Sequence, residues 1–310
     1  MTQENAPPAA SGSYFSIIAL LKSPITALIF VMFCWACTTI VVRHTRLELP
    51  PFGLAFWRNT FATLIILPFA MAASKRQWPL IKANLRLLAL LAVLLWVGGN
   101  ALLFLALQYT IAINAAVINS VEPVFIILAG TLLFRDRITL LQGGGVALSL
   151  AGVLVILSAG TLQRLLHLEL NIGDLIVTCA YVFWSLYAVL LRKLPRELDS
   201  RALLLVLVGL GTVFLLPMYI LESLFVRTMP LNGLSLLTAS GLGLFSCAIA
   251  MYLWNYAISC MGAARAGQYL HLIPAFTVLL AIMLLGEQFA SHHFAGIGLI
   301  VAGIVLASRR

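Results

Sequence analysis

The sequence predicts an all-α integral membrane protein in which ten transmembrane helices form two inverted repeats of five. Hydrophobic residues make up 62% of its 310 residues, against about 45 to 50% in soluble domains. Apolar stretches close to the ~20 residues that cross a hydrocarbon core recur along the whole chain. The two halves also align with each other, and each half holds five of these stretches.

The predicted transmembrane helices follow one another with short polar gaps. In chain order they span 24–43, 52–73, 85–108, 111–134, 138–158, 172–191, 201–220, 233–258, 264–285 and 292–308. Residues 1–23 form an N-terminal tail, 24–160 the first repeat and 161–310 the second. Because each repeat has an odd number of helices, the second lies upside down relative to the first.

The internal repeat is visible in residues that recur at a nearly constant offset. Pro123 aligns with Pro274 at an offset of 151, and Trp35 aligns with Trp184 at an offset of 149. Further pairs are Phe125 with Phe276, Asp136 with Glu287, Gly145 with Gly296, Arg43 with Arg192, Thr63 with Thr212 and Pro68 with Pro217. Inverted repeats create two half-sites that face each other near the middle of the bilayer, as in secondary transporters.

The basic residues predict the orientation of the chain in the membrane. The formal net charge is +9, but the Lys and Arg residues lie mainly in loops, and loops on alternate sides of the membrane carry many and few of them. A nucleic-acid partner is therefore not expected. With the N-terminus in the cytoplasm, 14 of the 19 lie on that side and four lie outside. The positive-inside rule therefore predicts that both termini are cytoplasmic. The first residues lack the basic start and the cleavage site of a secretory signal, which predicts a short cytoplasmic tail.

Several classes of function lack their motifs. The chain contains no G-x-x-x-x-G-K-[ST] loop, so ATP-driven pumping by this chain is not expected. It contains no G-x-S-x-G or H-E-x-x-H motif, so no enzyme activity and no catalytic residue are predicted. All five cysteines fall in apolar helices, where neither a zinc site nor a disulfide framework is expected. No metal or cofactor is predicted.

The candidate site begins with the one acidic residue at membrane depth. An ionisable side chain at the centre of a membrane helix costs at least ~2.5 to 3.5 kcal/mol. Glu122, close to the midplane of its predicted helix, therefore needs a partner or a water-filled cavity. Pro123 follows it and removes a backbone donor, which frees the carbonyl of Asn119 beside the acid.

The second repeat is predicted to break its helix at a comparable depth. Pro274 stands at the aligned position, with Gln268 and His271 on nearby turns. Glu122 and His271 are candidates for proton coupling, because ionisable groups inside a membrane often relay protons. The alternatives are that the prolines only bend helices for packing, that a structural partner such as Arg58 neutralises Glu122, and that His271 is an ordinary buried hydrogen-bonding residue.

Aromatic and amide side chains near the middle of the helices complete the predicted site. Tyr181 and Trp184 lie on one helical stripe, and rings at this depth suit an aromatic, cationic or amphipathic molecule. The predicted substrate-binding residues are Trp35, Trp96, Asn100, Asn119, Glu122, Tyr181, Trp184, Gln268 and His271. The alternative is that the rings pack helices together and that the asparagines hydrogen-bond across helices.

Small residues in the last helix of each repeat predict close helix contacts. The stripes are Gly145, Ser149 and Gly152 in the first repeat and Gly298, Ala302 and Gly303 in the second. Glycine and alanine let two helix backbones approach closely within a membrane. Pairing within one chain and pairing in a homodimer both remain open.

Four groups of residues carry a resemblance to a known family. They are Trp35, Phe56-Trp57-Arg58, the stretch Asn119-Ser120-Val121-Glu122-Pro123-Val124-Phe125, and Phe134-Arg135-Asp136-Arg137. With these residues the chain resembles the EamA-like group of the drug/metabolite transporter superfamily over nearly its full length. The resemblance implies a carrier for small metabolites, often an exporter of amino acids, without an ATPase subunit. Amino acid exporters of the YddG type belong to the same superfamily.

The sequence therefore predicts a secondary transporter of the cytoplasmic membrane that works by alternating access. An amino acid or a related amphipathic compound is the expected substrate, and the resemblance favours export. One alternative is an uncoupled facilitator of the same fold. Another is a membrane receptor or scaffold that does not transport, although the predicted external loops are short and no soluble domain is present to read a signal.

Overall fold

The computed structural model describes residues 23–135, 139–158, 161, 163, 171–195, 197–261 and 268–308. Within these ranges every regular element is a helix, so the all-α prediction is confirmed for them. The helices of the first half are α1 (Pro24–His44), α2 (Pro51–Arg76), α3 (Trp78–Ala83), α4 (Leu85–Ala92), α5 (Leu102–Tyr109), α6 (Ala112–Asn119), α7 (Glu122–Phe134) and α8 (Leu140–Leu157). Those of the second half are α9 (Ile172–Leu190), α10 (Ser200–Phe225), α11 (Gly233–Leu242), α12 (Ala250–Met261), α13 (Leu272–Leu280) and α14 (Ser291–Ser308).

Three π-helical segments and three 3-10 turns join or extend these helices. The first π segment, Val93–Ala101, connects α4 to α5, the second, Gly243–Ile249, connects α11 to α12, and the third, Ala281–Leu285, follows α13. The 3-10 turns are Thr45–Leu47, Leu191–Lys193 and Gln268–His271. A π segment widens the helix by one residue per turn, and such segments occur frequently at functional sites.

Six helices in the described ranges are long and apolar enough to cross a membrane. They cover Pro24–Leu47, Pro51–Arg76, Leu85–Tyr109, Ile172–Lys193, Ser200–Phe225 and Gly233–Trp254, and each coincides with a predicted span. A seventh span forms if the pair Ala112–Asn119 and Val124–Phe134, bent by 47°, counts as one. Shorter apolar helices cover Leu140–Val155 and Leu272–Leu285. The count of ten spans stays a prediction.

Capping residues explain where several helices begin. Asn171 accepts a hydrogen bond from the Gly173 amide at the start of α9 (2.7 Å). Asp199 accepts one from the Arg201 amide at the start of α10 (2.9 Å). Asn232 accepts one from the Ser235 amide at the start of α11 (2.9 Å). Side chains of this type satisfy amides that the first turn of a helix leaves without a partner.

Helices from the two halves are interleaved. In the first half, α1 packs against α12 and α13 of the second half. In the second half, α9 packs against α5 and α7 of the first. Two further contacts join α2 to α10 and α8 to α14. The α2–α10 contact includes the hydroxyls of Thr63 and Thr212, which lie 3.2 Å apart.

The α8–α14 contact is a close approach of two backbones. A Cβ atom added at Gly152 would lie 2.7 Å from the carbonyl oxygen of Gly296 and 3.0 Å from the amide of Ile300. Ser149 donates a hydrogen bond to the Ile300 carbonyl (3.3 Å). The small-residue stripes therefore pair two helices of one chain. Gly298 has open space around it and takes no part in this contact.

Candidate functional site

Glu122 lies at the break between α6 and α7. Asn119 is the last residue of α6 and Glu122 the first of α7, so the 47° bend falls between them. The Asn119 amide Nδ2 lies 3.4 Å from Glu122 Oε2. Pro123 stands in the first turn of α7, where a missing amide costs no helical hydrogen bond. The predicted break at this proline is therefore present in the backbone.

A helix of the other half holds this break from one side. Ser185 on α9 donates to the Tyr181 carbonyl (2.8 Å), and its hydroxyl also lies 3.4 Å from the backbone carbonyl of Glu122. The Tyr181 side chain lies near the Asn119 side chain and the Glu122 carboxyl group. The structure thus brings together Asn119, Glu122 and Tyr181, three of the predicted site residues. We call these three residues the Glu122 cluster.

Trp184 packs one turn further along α9, against the first π segment. A Cβ atom added at Gly99 would lie 2.6 Å from Cδ1 of the Trp184 ring, so only glycine leaves room for the indole. Gly98 is pressed in the same way against the ring of Phe183. The Trp184 and Tyr187 rings meet edge to face, with centroids 6.1 Å apart. The halves therefore pack closely here because the segment carries two adjacent glycines.

This contact makes Gly99→Ala a sensitive test. The added methyl group is expected to push Trp184 away from the first π segment and to destabilise the protein by about 1 to 3 kcal/mol, as overpacking commonly does. The measurement is the thermal unfolding midpoint of the purified protein. Gly209→Ala is the control, because a Cβ atom there meets no atom within 4 Å. Equal midpoints for the two variants would contradict the proposed tight contact.

Trp35, the residue aligned with Trp184, meets the second π segment. Its indole Nε1 donates to the Ser246 carbonyl at 3.2 Å. Its ring also packs against Trp254, with centroids 5.6 Å apart. Both aligned tryptophans therefore sit against π-helical backbone contributed by the opposite half.

Trp96 and Asn100 lie in a separate, buried group of side chains. The Trp96 ring is 3% exposed and packs against the guanidinium of Arg58 and the backbone at Gly211. The side-chain amide of Asn100 donates to the backbone carbonyl of Leu95, five residues earlier in the same π segment (2.8 Å). Its oxygen accepts from Arg58 (3.2 Å). Substrate contact by these two residues stays a prediction.

The hypothesis that Arg58 neutralises Glu122 is wrong. Arg58 Nη2 donates to the side-chain oxygens of Asn59 (3.3 Å) and Asn100 (3.2 Å). Ion pairs between described residues are Arg43–Glu287, Arg76–Asp199 and Arg201–Asp199. Glu122 instead lies beside an amide and a phenol.

The predicted residues of the second repeat can be placed only by their backbones. Gln268 and His271 form a 3-10 turn that leads into α13, but their side chains lie outside the described part of the structure. Pro274 is the third residue of α13. The 3-10 turn and the start of α13 therefore place a change of helix type close to Pro274, whereas Pro123 follows a bend between two α-helices.

Sequence reasoning missed a polar network at one end of the bundle. Glu287, in the loop after the third π segment, accepts hydrogen bonds from the amides of Ala112 (2.9 Å) and Ile113 (3.0 Å) at the start of α6. Arg43 Nε lies 3.9 Å from the same carboxylate, and Arg43 Nη1 donates to the Leu107 carbonyl (2.8 Å). We call this end of the bundle the Glu287 end. A carboxylate there stabilises α6 by satisfying its free amides.

A second carboxylate at the Glu287 end joins α9 to α6. Asp174 accepts hydrogen bonds from the Thr110 hydroxyl and from the Asn114 amide (2.9 Å). Asn114 Oδ1 lies 2.9 Å from His293 Nε2, and His293 Nδ1 accepts from the Ala290 amide (2.9 Å). Since Nδ1 accepts, the ring proton is on Nε2 and is donated to Asn114.

A third carboxylate caps α2 at the same end. Glu222, near the end of α10, accepts from the amides of Gly53 (2.7 Å) and Phe52 (3.3 Å). Arg227 follows α10 and donates to backbone carbonyls of the loop between α1 and α2. The acceptors are Leu47 (2.6 Å), Arg46 (2.6 Å) and Leu49 (2.9 Å). The described contacts of all three carboxylates join the second half of the chain to the first.

A signal for this network was present in the sequence. The chain has only ten acidic residues, and Asp174, Glu222 and Glu287 each lie near a predicted helix end on the same predicted side. Acids are scarce in this chain, so three on one side could have been interpreted as caps or pairs. The partners of Glu222 and Glu287 are backbone amides, whose positions no residue type reveals, and those of Asp174 are side chains on another helix.

The opposite end, which we call the Asp199 end, is held by more exposed contacts. Asp199 pairs with Arg201 (3.0 Å) and Arg76 (3.7 Å), whose side chains are 56% and 71% exposed. The hydrogen bond from Arg201 holds the pKa of Asp199 below its usual value. Gln77 donates to the Glu197 carbonyl (2.8 Å) and accepts from the Asp199 amide (2.7 Å). Exposed ion pairs add little stability.

Comparison with known proteins found a matching family model and several similar proteins. The family model described as the EamA-like transporter family matches residues 22–158 and 171–309. An uncharacterized transporter of Archaeoglobus fulgidus is 30% identical over 90% of this chain and 95% of its own. A probable terminal-alkyne amino-acid exporter of Streptantibioticus cattleyicolor is 28% identical over 64% of each chain. One solved crystal structure, 20% identical over 93% of this chain and 96% of its own, superposes with a TM-score of 0.59, a likeness of fold alone.

Proposed function

The chain belongs to the EamA-like transporter family, and from this premise we propose that it moves a small amphipathic metabolite across the cytoplasmic membrane by alternating access. Family membership makes it a membrane transporter and not an enzyme. The proposed substrate is an amino acid or a related compound, and the proposed direction is export. The lipid bilayer and this substrate are the expected partners, without nucleic acid or an ATPase subunit; a homodimer is possible in this proposal.

The proposed architecture is a pair of inverted repeats, 24–160 and 161–310, with ten spans and both termini in the cytoplasm. Reciprocal contacts support it. A Cβ atom on Gly152 would meet the backbone at Gly296 and Ile300, and one on Gly303 would meet the backbone at Gly145 and Ser149. These are the same contacts with the two repeats exchanged, as a two-fold axis between them requires.

Further contacts recur in the same way when the two repeats are exchanged. Thr63 and Thr212 are aligned residues whose hydroxyls meet at 3.2 Å, which supports an axis that passes between them. The contact of α1 with α12 corresponds to that of α9 with α5, and the contact of α1 with α13 corresponds to that of α9 with α7. The orientation of the repeats rests on the bias of 14 of 19 basic residues to one side.

The single observation that carries the proposed site is the position of the Glu122 cluster. A carboxyl group stands at a helix break beside an amide and a phenol, and a helix of the other half supplies the phenol. Broken helices that expose polar groups at membrane depth are tolerated where they line a substrate site. We assign substrate binding to this cluster and to Trp35, Trp96, Asn100, Trp184, Gln268 and His271, and proton coupling to Glu122 and His271.

The substrate class rests on two supports. One relative is described as a probable amino-acid exporter. The two tryptophans that meet π segments, Trp35 and Trp184, supply ring surface, and Trp184 lies one helical turn from Tyr181 on α9. An amphipathic molecule would place its apolar part on these rings and its charged or polar part at Glu122.

The proposed transport cycle opens the Glu287 end and the Asp199 end in turn. In this structure the carboxylates of Asp174, Glu222 and Glu287 tie the second half to the first, whereas the ion pairs at the Asp199 end are exposed. This difference supports a state closed at the Glu287 end. With the proposed orientation, that state is closed to the outside and would accept substrate from the cytoplasm.

Glu287→Gln tests this closure. The amide keeps one acceptor for the start of α6 but loses the charge that favours a helix N-terminus, so the closed end is expected to lose about 1 to 2 kcal/mol. Hydrogen exchange at the amides of Ala112 and Ile113 should then become faster, by roughly tenfold for each 1.4 kcal/mol. Glu48→Gln is the control, because Glu48 is exposed in the loop that follows α1. Unchanged exchange at both amides would argue against the cap.

Transport itself is tested by reconstituting the purified protein in liposomes. Amino acids that raise the unfolding midpoint are tested for saturable flux with and without an imposed pH gradient. Flux that ignores the pH gradient would favour an uncoupled facilitator of the same fold. If no stabilising compound gives flux and bulky substitutions near Trp184 have no effect, the result would favour a receptor or scaffold.

A further inference from the structure

Arg58 is a fully enclosed cation. It lies on α2 and is 1% exposed. Its guanidinium is 5.4 Å from the centre of the Trp96 ring and 4.7 Å from the centre of the Phe104 ring. Cys247, on the second π segment and itself 1% exposed, lies near it. Two aromatic faces and a thiol favour a cation far less than a carboxylate would.

The hydrogen-bond partners of Arg58 are neutral. Nη2 donates to the oxygens of two amide side chains, Asn59 and Asn100. Among the described residues, no carboxylate oxygen lies within 4.0 Å of the guanidinium, and the described ion pairs involve other arginines. Burial of an arginine charge without a counter-charge is strongly unfavourable, so binding of an anion beside Arg58 would stabilise the folded protein.

Buried donors around this cation also lack acceptors. Arg58 Nε, Asn59 Nδ2 and Trp96 Nε1 are buried and have no hydrogen-bond partner among the described residues. All three groups are donors, and none can accept a hydrogen bond. The Asn59 orientation follows from its contact, because Arg58 can only donate and therefore selects the Asn59 oxygen. Arg58, Asn59 and Trp96 together therefore need hydrogen-bond acceptors and one negative charge to balance the guanidinium.

We propose that Arg58, Asn59 and Trp96 form a binding site for one small monovalent anion. The site requires an acceptor-only ligand with a single negative charge, because it presents a cation and donors without acceptors. Arg58, Asn59 and Trp96 are all 3% exposed or less, so the ligand must be small and these side chains must move apart to admit it. A halide and the carboxylate end of a small organic acid share this chemistry.

The anion would have a structural consequence for the proposed transport site. Arg58 donates to Asn100, and Asn100 in turn holds the Leu95 carbonyl within the first π segment. The same segment receives the Trp184 ring at Gly99. An anion that fixes Arg58 therefore stabilises the surface on which α9 packs. The anion site does not depend on the identity of the transported substrate.

The first experiment uses the unmodified protein. Its thermal unfolding midpoint is measured while potassium chloride replaces potassium gluconate at constant ionic strength, and then with potassium formate in place of chloride. We expect a saturable rise of the midpoint with the anion that binds, since a ligand of the folded state stabilises in proportion to the logarithm of its concentration. A rise with chloride identifies a halide site, and a rise with formate alone identifies a carboxylate site. A midpoint that responds to neither anion would overturn the proposal.

Asn59→Asp supplies the missing charge from the protein itself. Aspartate has nearly the shape of asparagine, keeps the oxygen that Arg58 contacts and replaces the unpartnered Nδ2 with an acceptor. This variant is expected to have a higher midpoint than the unmodified protein in gluconate and to lose the response to the anion. Asn232→Asp is the matched control. Asn232 is an exposed N-cap that aspartate can replace, so the control should keep the full response.

Bromide locates the anion independently of stability. In crystals of the unmodified protein grown with bromide, an anomalous peak is expected beside Arg58 Nε, and it should be absent from crystals of Asn59→Asp. A peak at Arg58 in both proteins, or peaks only at surface arginines such as Arg76, would contradict the site. An anion response that persists in Asn59→Asp would contradict it as well.

Discussion

Glu122→Gln is expected to abolish proton-driven accumulation of substrate in liposomes. Glutamine keeps the size of the side chain and its contact with Asn119, but it cannot release a proton. If one proton exchanges for one substrate molecule, a gradient of one pH unit sustains about tenfold accumulation, because both correspond to about 1.4 kcal/mol. The variant should therefore reduce the accumulation ratio from about ten to one, while downhill exchange of substrate continues.

The measurement compares two fluxes in the same vesicles. Uptake against a gradient is followed with an imposed pH difference, and exchange of labelled for unlabelled substrate is followed without one. Glu197→Gln is the matched control, because Glu197 is exposed at the Asp199 end and its described contact uses the backbone carbonyl. If Glu122→Gln accumulates substrate as the unmodified protein does, the carboxyl group has no coupling role.

Gly152→Leu is expected to cause the largest loss of stability of any single substitution considered for this chain. A Cβ atom at this position lies 2.7 Å from the Gly296 carbonyl oxygen and 3.0 Å from the Ile300 amide. These are backbone atoms and cannot rotate away as a side chain can, so α8 and α14 must separate. We expect a loss of at least about 3 kcal/mol, at the upper end of overpacking, because the Ser149 contact is lost at the same time.

The measurement is the yield of monodisperse protein in detergent together with its unfolding midpoint. Gly298→Leu is the control, since Gly298 lies on α14 with open space around it and the substitution adds the same apolar volume. Similar yields and midpoints for the two variants would show that close α8–α14 packing is not required for folding.

Much of the fold could be predicted because membrane spans leave a strong local pattern. Six helices that suit a membrane coincide with predicted spans. Prolines were informative as well: Pro123 marks the 47° break between Asn119 and Val124. Both features depend on residues that are close in sequence, such as an apolar run or a missing backbone amide.

The site was only partly predictable for the same reason. Asn119 and Glu122 are three residues apart, and their contact follows from that spacing. Tyr181 comes from another helix, and the structure brings it near Glu122, although no local pattern in the sequence links the two residues. The sequence groups Trp96 with these residues only by its depth in the membrane, whereas the structure places it against Arg58. Depth in the membrane does not specify the direction in which a side chain points.

The amino-acid sequence is sufficient to predict a helical membrane protein with an internal repeat, because composition, apolar runs and aligned residues are recognised without knowledge of their contacts. Three features depend on the folded chain: which small-residue helices pair, which carboxylates cap which helices, and which cation has no counter-charge among the described residues. Each of these depends on a backbone or side-chain atom brought close by folding. Glu287 caps a helix whose first residue is Ala112. No pattern of residue types indicates that the carboxylate accepts from a backbone amide 175 residues away in sequence.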